Sequence, residues 1–397
     1  MRIHIFKKIT ALLFLILPFT SCKTSPTISG TLEGLEKENT KIYLIQPEDL
    51  QHVAASYLGK VIDSAIVNAD GSFEFHNPPN TEEPVLLELA VQPTNKAGNY
   101  LITDNPNKAN YMPIVWQFGE PLQIVAQFDE FQKSFTIENP SDLNNALLEV
   151  RDIKAKAYQT YLADTHWNVE DGDELMAKEH AVLQYQTALM EFAESTPQLL
   201  PAIVALRWVS PENDYERVPE FLVDQCTKWK KTQPDHPWVQ QLCKESEPKN
   251  LPVLTGDEFP NIQFPLMTND TVLLNDVLGE KLTIVDLWAS WCAPCRIENR
   301  KVLAPLYDEY QDQDQGLQII AYALESDERS WNAAAKRDGA DRWLQSSDLQ
   351  GDDAPFLKKI RVRTIPANFI LDSNGVVIAK NIHGEELMDL VKSSIEN

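Results

Sequence analysis

A Cys-x-x-Cys motif at the end of an apolar, strand-like run is the feature that most constrains the fold of this chain. The run 283–288 leads within a few residues to Cys292-Ala293-Pro294-Cys295. A strand that passes into a helix here brings the first sulfur to the helix N-terminus, where backbone N–H groups and the helix dipole favour a thiolate. The second sulfur follows one helical turn later, within bonding reach of the first. The motif therefore predicts dithiol/disulfide chemistry.

Zinc binding is the main alternative for such a motif. Zinc is normally held by four ligands, often two such pairs at similar spacing. The other cysteines, Cys22, Cys226 and Cys243, stand alone, and no histidine pair has a metal-binding spacing. We therefore favour redox chemistry, and we expect no metal and no other cofactor.

Three separated elements resemble the thioredoxin superfamily, in particular its membrane-anchored TlpA/ResA-like branch of extracytoplasmic thiol-disulfide oxidoreductases. They are Trp-Ala-Ser-Trp-Cys-Ala-Pro-Cys-Arg at 288–296, Ile365-Pro366, and Asn-Phe-Ile-Leu-Asp-Ser-Asn-Gly at 368–375. The resemblance covers roughly residues 253–397. It implies a C-terminal α/β thioredoxin-like fold with a redox-active Cys292–Cys295 disulfide.

The site residues follow from position and resemblance together. Cys292 precedes the helix and is the expected nucleophile, while Cys295 resolves the mixed disulfide. Asp286 matches the buried carboxylate that exchanges protons with the resolving thiol, although a water-exposed aspartate at the strand edge is the alternative. Glu298 matches a glutamate common in the ResA-like branch, but a solvated helix carboxylate explains it equally well. Relatives carry a helix-kinking proline soon after this glutamate; residues 299–301 lack it, which predicts a straighter helix.

Ile365-Pro366 resembles the cis-proline loop that faces the cysteines in this superfamily, with an ordinary trans turn as the alternative. The resemblance implies that five residues contact the substrate polypeptide, with strand-like pairing at the backbone of Ile365. These residues are Trp291, Ala293, Pro294, Ile365 and Pro366.

The N-terminus has the pattern of an export signal. A basic start precedes the apolar run 9–19, which is too short for a membrane-spanning helix. Thr20-Ser21-Cys22 resembles a bacterial lipoprotein cleavage site, which implies a signal peptide over 1–21 and lipidation of Cys22. An ordinary signal peptide with an incidental cysteine is the alternative.

Composition excludes one broad class of function. The formal net charge is -24, and no basic stripe is present, so a nucleic-acid partner is not expected. The hydrophobic content of 43% is sufficient for packed cores. The chain left after the leader is long enough for two or three domains of ordinary size.

Residues 22–139 read as strands separated by Pro, Asn and Gly, which predicts an antiparallel β-sandwich domain. Such a β-domain resembles those that precede redox domains in Bacteroidetes lipoproteins. The turn at 68–71 predicts a hairpin between two of the strands. The predicted strands are 42–45, 61–67, 72–75, 85–91 and 122–125.

Residues 140–247 show apolar residues at helical spacing and predict a helical middle region. Cys226 and Cys243 fall on consecutive helices there, so a structural disulfide and two buried thiols both remain open. A polar, proline-containing linker leads into residues 253–397. That segment alternates strand and helix, which predicts a mixed sheet flanked by helices.

We therefore expect a periplasm-facing, membrane-anchored lipoprotein that acts as a thiol-disulfide oxidoreductase. The resemblance implies reduction of disulfide-containing exported proteins, for instance in cytochrome c maturation, with a transmembrane thiol reductase as electron donor. Two alternatives stay open. One is a peroxiredoxin-like peroxidase, which would need its reactive cysteine in a Pro/Thr-rich loop. The other is a non-catalytic binding or assembly lipoprotein with a vestigial redox domain.

Overall fold

The computed structural model describes residues 27–34, 40–54, 58–92, 96–98, 100, 103, 105–168, 171–311 and 316–396. The predicted signal peptide and Cys22 lie outside these residues. Among the residues described, no helix has the length and apolar character needed to cross a membrane. The buried apolar side chains form two separate clusters, one within residues 28–251 and one within residues 259–395.

Two four-stranded sheets form the first part of the chain. One has the order β4 (Ser72–Phe75), β1 (Ile28–Glu33), β7 (Leu122–Gln127) and β8 (Thr136–Ile137). The other has the order β3 (Lys60–Ile66), β2 (Lys41–Gln46), β5 (Val85–Gln92) and β6 (Tyr111–Trp116). The predicted β-sandwich region is therefore present, but β1 and β7 run parallel, so its pairing is not wholly antiparallel.

The predicted hairpin at 68–71 is wrong in its pairing. The tight turn itself forms, with a bond of 2.9 Å from the Gly71 N–H to the Asn68 carbonyl and a left-handed φ of 84° at Gly71. However, β3 pairs with β2 in one sheet, while β4 pairs with β1 in the other. The turn therefore connects the two sheets. Strand β4 pairs with β1, which the sequence analysis did not predict, instead of with β3.

The middle region is helical, as predicted. The short helix α1 (Phe131–Ser134) precedes it, between β7 and β8. Its own helices are α2 (Asp142–Tyr161), α3 (Gly172–Ser195), α4 (Leu199–Val209), α5 (Pro219–Thr232) and α6 (Pro237–Glu245). Its apolar residues belong to the same cluster as those of the two sheets. Buried Asn144 on α2 joins the parts directly, since its side chain bonds both the N–H and the carbonyl of Val115 on β6, at 2.9 and 2.8 Å. We call residues 27–251 the N-terminal body, because they share one core.

Cys226 on α5 and Cys243 on α6 are joined by a disulfide bond, with a Cα–Cα distance of 4.9 Å. Of the two alternatives that the sequence left open, the structure has the bonded one. The bond closes a helical hairpin, and both cysteines pack against the apolar cluster of the N-terminal body.

The C-terminal domain has a mixed sheet covered by helices, as predicted, and the sheet has five strands. Its strand order is β13 (Leu344–Ser346), β12 (Leu317–Ala323), β11 (Leu282–Trp288), β14 (Ala367–Asp372) and β15 (Val377–Lys380). A small hairpin, β9 (Gln263–Pro265) and β10 (Thr271–Leu273), precedes it. The helices are α7 (Ala293–Glu298), α8 (Ala304–Tyr310), α9 (Glu328–Asp338), α10 (Pro355–Ile360) and α11 (Gly384–Glu396).

The expectation of a straighter helix after Glu298 is wrong. A π-helical turn at Asn299–Leu303 lies between α7 and α8. Pro305 follows directly at the start of α8. Proline has no N–H for the helical ladder, and its ring crowds the carbonyl four residues earlier, so local widening of the helix accommodates it.

Candidate active site

Strand β11 positions the two cysteines of the motif. It lies at the centre of the C-terminal sheet, parallel to β12 and antiparallel to β14, and every residue along it is buried. Soon after its end, Cys292 takes the N-cap position of α7, and its sulfur accepts a hydrogen bond from the Cys295 N–H at 3.3 Å. The first sulfur therefore lies at a helix N-terminus, the environment that stabilises a thiolate.

Cys292 and Cys295 are joined by a disulfide bond, with a Cα–Cα distance of 5.4 Å. Cys292 is 6% exposed and Cys295 is 2% exposed, so the predicted nucleophile is the more accessible of two buried cysteines. The helix that carries them is held by the buried carboxylate of Asp338 on α9. Arg296 donates to both of its oxygens, at 2.6 and 2.8 Å, and Arg300 adds a bond of 2.7 Å.

Asp286 lies inside the sheet rather than at a solvated edge. It is buried on β11, opposite Asn368 of β14 and Ala321 of β12. Burial raises the pKa of the Asp286 carboxyl well above its usual range, and the neighbouring Glu298 carboxyl raises it further. A raised pKa makes the carboxylate a stronger proton acceptor, which is the property that deprotonation of a thiol requires.

Glu298 is buried as well, so it is not a solvated helix carboxylate. One oxygen lies 2.7 Å from Nδ1 of His383, and the other accepts a bond of 3.3 Å from the Gly384 N–H. Gly384 is the first residue of α11, and His383 precedes it in the short turn after β15. This turn is fixed by Asn368, whose side chain bonds both the carbonyl and the N–H of Ile382, at 2.6 and 3.1 Å.

His383 is a site residue that the sequence analysis missed. It is 85 residues from Glu298 in the chain and forms no motif with it. A histidine at the junction of a predicted last strand and closing helix, in a mixed sheet, was the only available signal. That junction lies at the same end of the sheet as the dithiol, but this could not be predicted without knowing the strand order.

The Ile365–Pro366 peptide bond is cis, as the motif led us to expect. Pro366 precedes β14, and Ala367 pairs with Leu287, so the bond lies at the end of β11 that leads to the cysteines. Pro366 is buried and Ile365 is half-buried. The remaining predicted substrate contacts differ in exposure. Trp291 is 64% exposed and Ala293 is exposed, whereas Pro294 is buried.

The structure thus brings together the two cysteines, Asp286, Glu298 and the cis-proline loop, and adds His383. The Cys226–Cys243 disulfide belongs to the N-terminal body and takes no part in this site. Within the described part of the chain, no group of three or more histidine, cysteine, aspartate or glutamate side chains is arranged to hold a metal ion.

Comparison with known proteins assigns the C-terminal domain. The family model described as Redoxin matches residues 254–395. The thioredoxin-like protein YneN of Bacillus subtilis is 27% identical over 135 residues, which cover 34% of this chain and 74% of the relative. The thiol:disulfide interchange protein DsbE of Pseudomonas fluorescens is 27% identical over 143 residues, covering 34% of this chain and 71% of the relative.

Among solved structures, a thiol-disulfide oxidoreductase from Bacteroides fragilis aligns with 25% sequence identity and a TM-score of 0.32. The alignment covers 34% of this chain and 98% of that protein. These matches leave the N-terminal body without a counterpart among the proteins named here.

Proposed function

We propose that this protein, whose residues 254–395 form a redoxin domain of the thioredoxin-like thiol-disulfide oxidoreductase type, reduces disulfide bonds of exported proteins through Cys292 and Cys295. The observation that carries the proposal is the Cys292–Cys295 bond at the N-terminus of α7. Asp286, buried in the strand that delivers those cysteines, supplies the proton acceptor.

The reaction begins from the dithiol. The Cys292 thiolate attacks one sulfur of the partner's disulfide, forms a mixed disulfide and releases the other partner sulfur as a thiolate. Cys295 then gives its proton to the Asp286 carboxylate and attacks the Cys292 sulfur. The Cys292–Cys295 disulfide forms, and the second partner sulfur leaves. Two electrons pass to the partner, and a transmembrane thiol reductase then supplies two electrons that reduce Cys292–Cys295 to the dithiol again.

The location belongs to the same proposal. Cys22 is lipidated after removal of residues 1–21, and the protein faces the periplasm on a membrane anchor. Diacyl attachment gives stable binding where one acyl chain does not. Exported proteins with paired cysteines, including those of cytochrome c maturation, are then the accessible partners. Cys22→Ser protein should appear in the soluble periplasmic fraction, and membrane retention of that variant contradicts the lipid anchor.

Partner trapping tests the chemistry. Cys295→Ala removes the resolving thiol, so the bond between Cys292 and a partner persists and mass spectrometry identifies the partner. A folded Cys295→Ala protein with an alkylatable Cys292 that traps nothing contradicts the proposal. The midpoint potential gives the direction: below about -250 mV it supports a reductase, and near about -120 mV it indicates an oxidant.

A further inference from the structure

The N-terminal end of α3 lies against the active-site helix. Gly172, its first residue, is buried, and a Cβ atom placed there would lie 2.8 Å from the Pro294 nitrogen and 2.7 Å from Cδ1 of Ile297. Contacts this short leave no room for a side chain. Asp173 adds an ion pair of 2.8 Å with Lys301. The N-terminal body thereby contacts α7 at Pro294, one of the residues predicted to contact the partner.

The segment between α4 and α5 holds the loop before the cis-proline. The Glu216 carboxylate accepts hydrogen bonds from the backbone N–H groups of Arg363, at 3.1 Å, and Thr364, at 2.9 Å. It also pairs with the Arg363 guanidinium at 3.2 Å, and its side chain is 7% exposed. Backbone groups next to Ile365, where strand-like pairing with a partner is expected, are therefore occupied from within the chain.

A third set of contacts involves Lys380 and Asn381, at and just after the end of β15. Arg217 donates to Asn381, after β15, at 3.0 Å and pairs with Glu179 on α3 at 3.5 Å. Glu220 on α5 pairs with Lys380 at 2.7 Å. The N-terminal body thus touches the redoxin domain at α7, at the cis-proline loop and at the turn before α11.

We propose that the helical region covers the partner-binding face of the redoxin domain, so that the protein reacts with disulfides on narrow, flexible segments and excludes disulfides held in folded surfaces. The inference rests on the proposed function and names its substrate class. The exposures agree with it. Cys292 is almost buried, while Trp291 and Ala293 stay open beside it, which leaves a restricted approach to the sulfur.

The helical region, which we call the cover, can separate from the partner-binding face of the redoxin domain. The two apolar clusters share no residue, and apart from the packing at Gly172 the contacts named above are hydrogen bonds and ion pairs. A cavity of about 760 Å³ lies between the bodies, lined by Tyr215 and Leu222 on one side and Leu357 and Val362 on the other. Polar, incompletely packed interfaces within a chain permit relative movement of the two bodies. Reaction with a folded partner then scales with the fraction of molecules in which the cover is open.

The test compares two disulfide probes in single-turnover reduction by the prereduced full-length protein. One probe is a short unstructured peptide with a single disulfide, and the other is native insulin. The double variant Gly172→Ala, Glu216→Gln adds a clashing methyl group at α7 and removes the carboxylate from the cis-proline loop. We expect its rate with insulin to rise roughly tenfold, while its rate with the peptide stays within about twofold of wild type.

Asp173→Ala is the matched control, because it removes only an exposed ion pair at the same helix end. Both of its rates should stay within about twofold of wild type. Hydrogen exchange at the Thr364 amide reports the release of the loop, and Glu216→Gln alone replaces the double variant if that protein does not fold. If the Thr364 amide exchanges faster in the variant but the variant reduces insulin at the wild-type rate, the proposal is wrong. An equal rise in the rates with insulin and with the peptide also overturns it. Failure of every protein to reduce the peptide contradicts the proposed function instead.

Discussion

The N-terminal body and the redoxin domain each contain a disulfide and a carboxyl fully buried on a strand, but the surroundings differ. In the body, Cys226–Cys243 ties two helices together, and Glu88 accepts a bond from the Ala54 N–H. In the redoxin domain, Cys292–Cys295 caps a helix, with the buried carboxyl of Asp286 on the preceding strand. The comparison shows that neither a disulfide nor a buried carboxyl indicates a redox site by itself. The combination of a cysteine at a helix N-terminus and a nearby proton acceptor does.

Removing the nucleophile gives the largest expected effect. Cys292→Ser should abolish reduction of the peptide disulfide, because serine cannot form the mixed disulfide. The matched change in the body, Cys226→Ser with Cys243→Ser, should leave that rate within about twofold of wild type. Comparable losses in both proteins would break the comparison, since the second disulfide would then take part in the chemistry.

The second effect is on stability. Loss of the bond between Cys226 and Cys243, which are 17 positions apart in the chain, should lower the free energy of unfolding of the N-terminal body by about 3 kcal/mol. Urea unfolding followed by the fluorescence of the buried body tryptophans measures it. The same protein should show an unchanged transition for the redoxin domain, whose core is separate. A change below about 0.5 kcal/mol would argue that the bond has no structural role.

Asp286→Asn sharpens the comparison of the two acids. The variant should slow the resolving step by roughly a hundredfold, because Cys295 loses its proton acceptor, while attack by Cys292 is little changed. Mixed disulfide should accumulate in rapid-quench experiments with the peptide probe. Glu88→Gln is the control, and neither step should change in it. Wild-type kinetics for both steps in Asp286→Asn at neutral pH would remove the assigned role.

The smallest change for a single step in conditions, about 1.4 kcal/mol per pH unit, concerns pH and stability. Burial raises the pKa of Glu88 to about 8, against the opposing influence of the Ala54 N–H and of Arg207. The folded protein then holds this proton more tightly than the unfolded chain, so the contribution to stability is full below about pH 4.5 and is lost as pH rises to about 8. Between these values the wild-type unfolding free energy should fall about 1.4 kcal/mol per pH unit more steeply than that of Glu88→Gln. Parallel pH profiles would contradict the assignment.

The sequence predicted the parts of the site that local pattern encodes. The apolar run before Cys292 indicated a buried strand, and burial of Asp286 followed from its place in that run. The residues around Ile365-Pro366 indicated the cis bond. The pairing of Glu298 with His383 could not be predicted, because it depends on β15 and α11 meeting the active-site helix across the sheet.

The missed strand β1 has a comparable cause. Gly30 interrupts its apolar alternation and weakened the strand pattern. In the structure, a Cβ at Gly30 would lie 2.2 Å from the Ile124 carbonyl oxygen, so the glycine permits the close parallel approach of β7. Glycine on its own argues against a strand, but here the neighbouring strand β7 requires it. The hairpin prediction failed for the same reason, because it did not include β1 as the partner of β4.

The chain passes between its two cores once, near residues 251–259. The helical region therefore remains tethered to the face it covers even when it is displaced. For a short connection, such a tether corresponds to an effective concentration on the order of millimolar. A partner therefore competes for the binding face with the helical region, which acts as a tethered ligand at that effective concentration. A partner that binds weakly dissociates before it reacts. Formation of the mixed disulfide with Cys292 ends the competition, because the partner is then bound covalently.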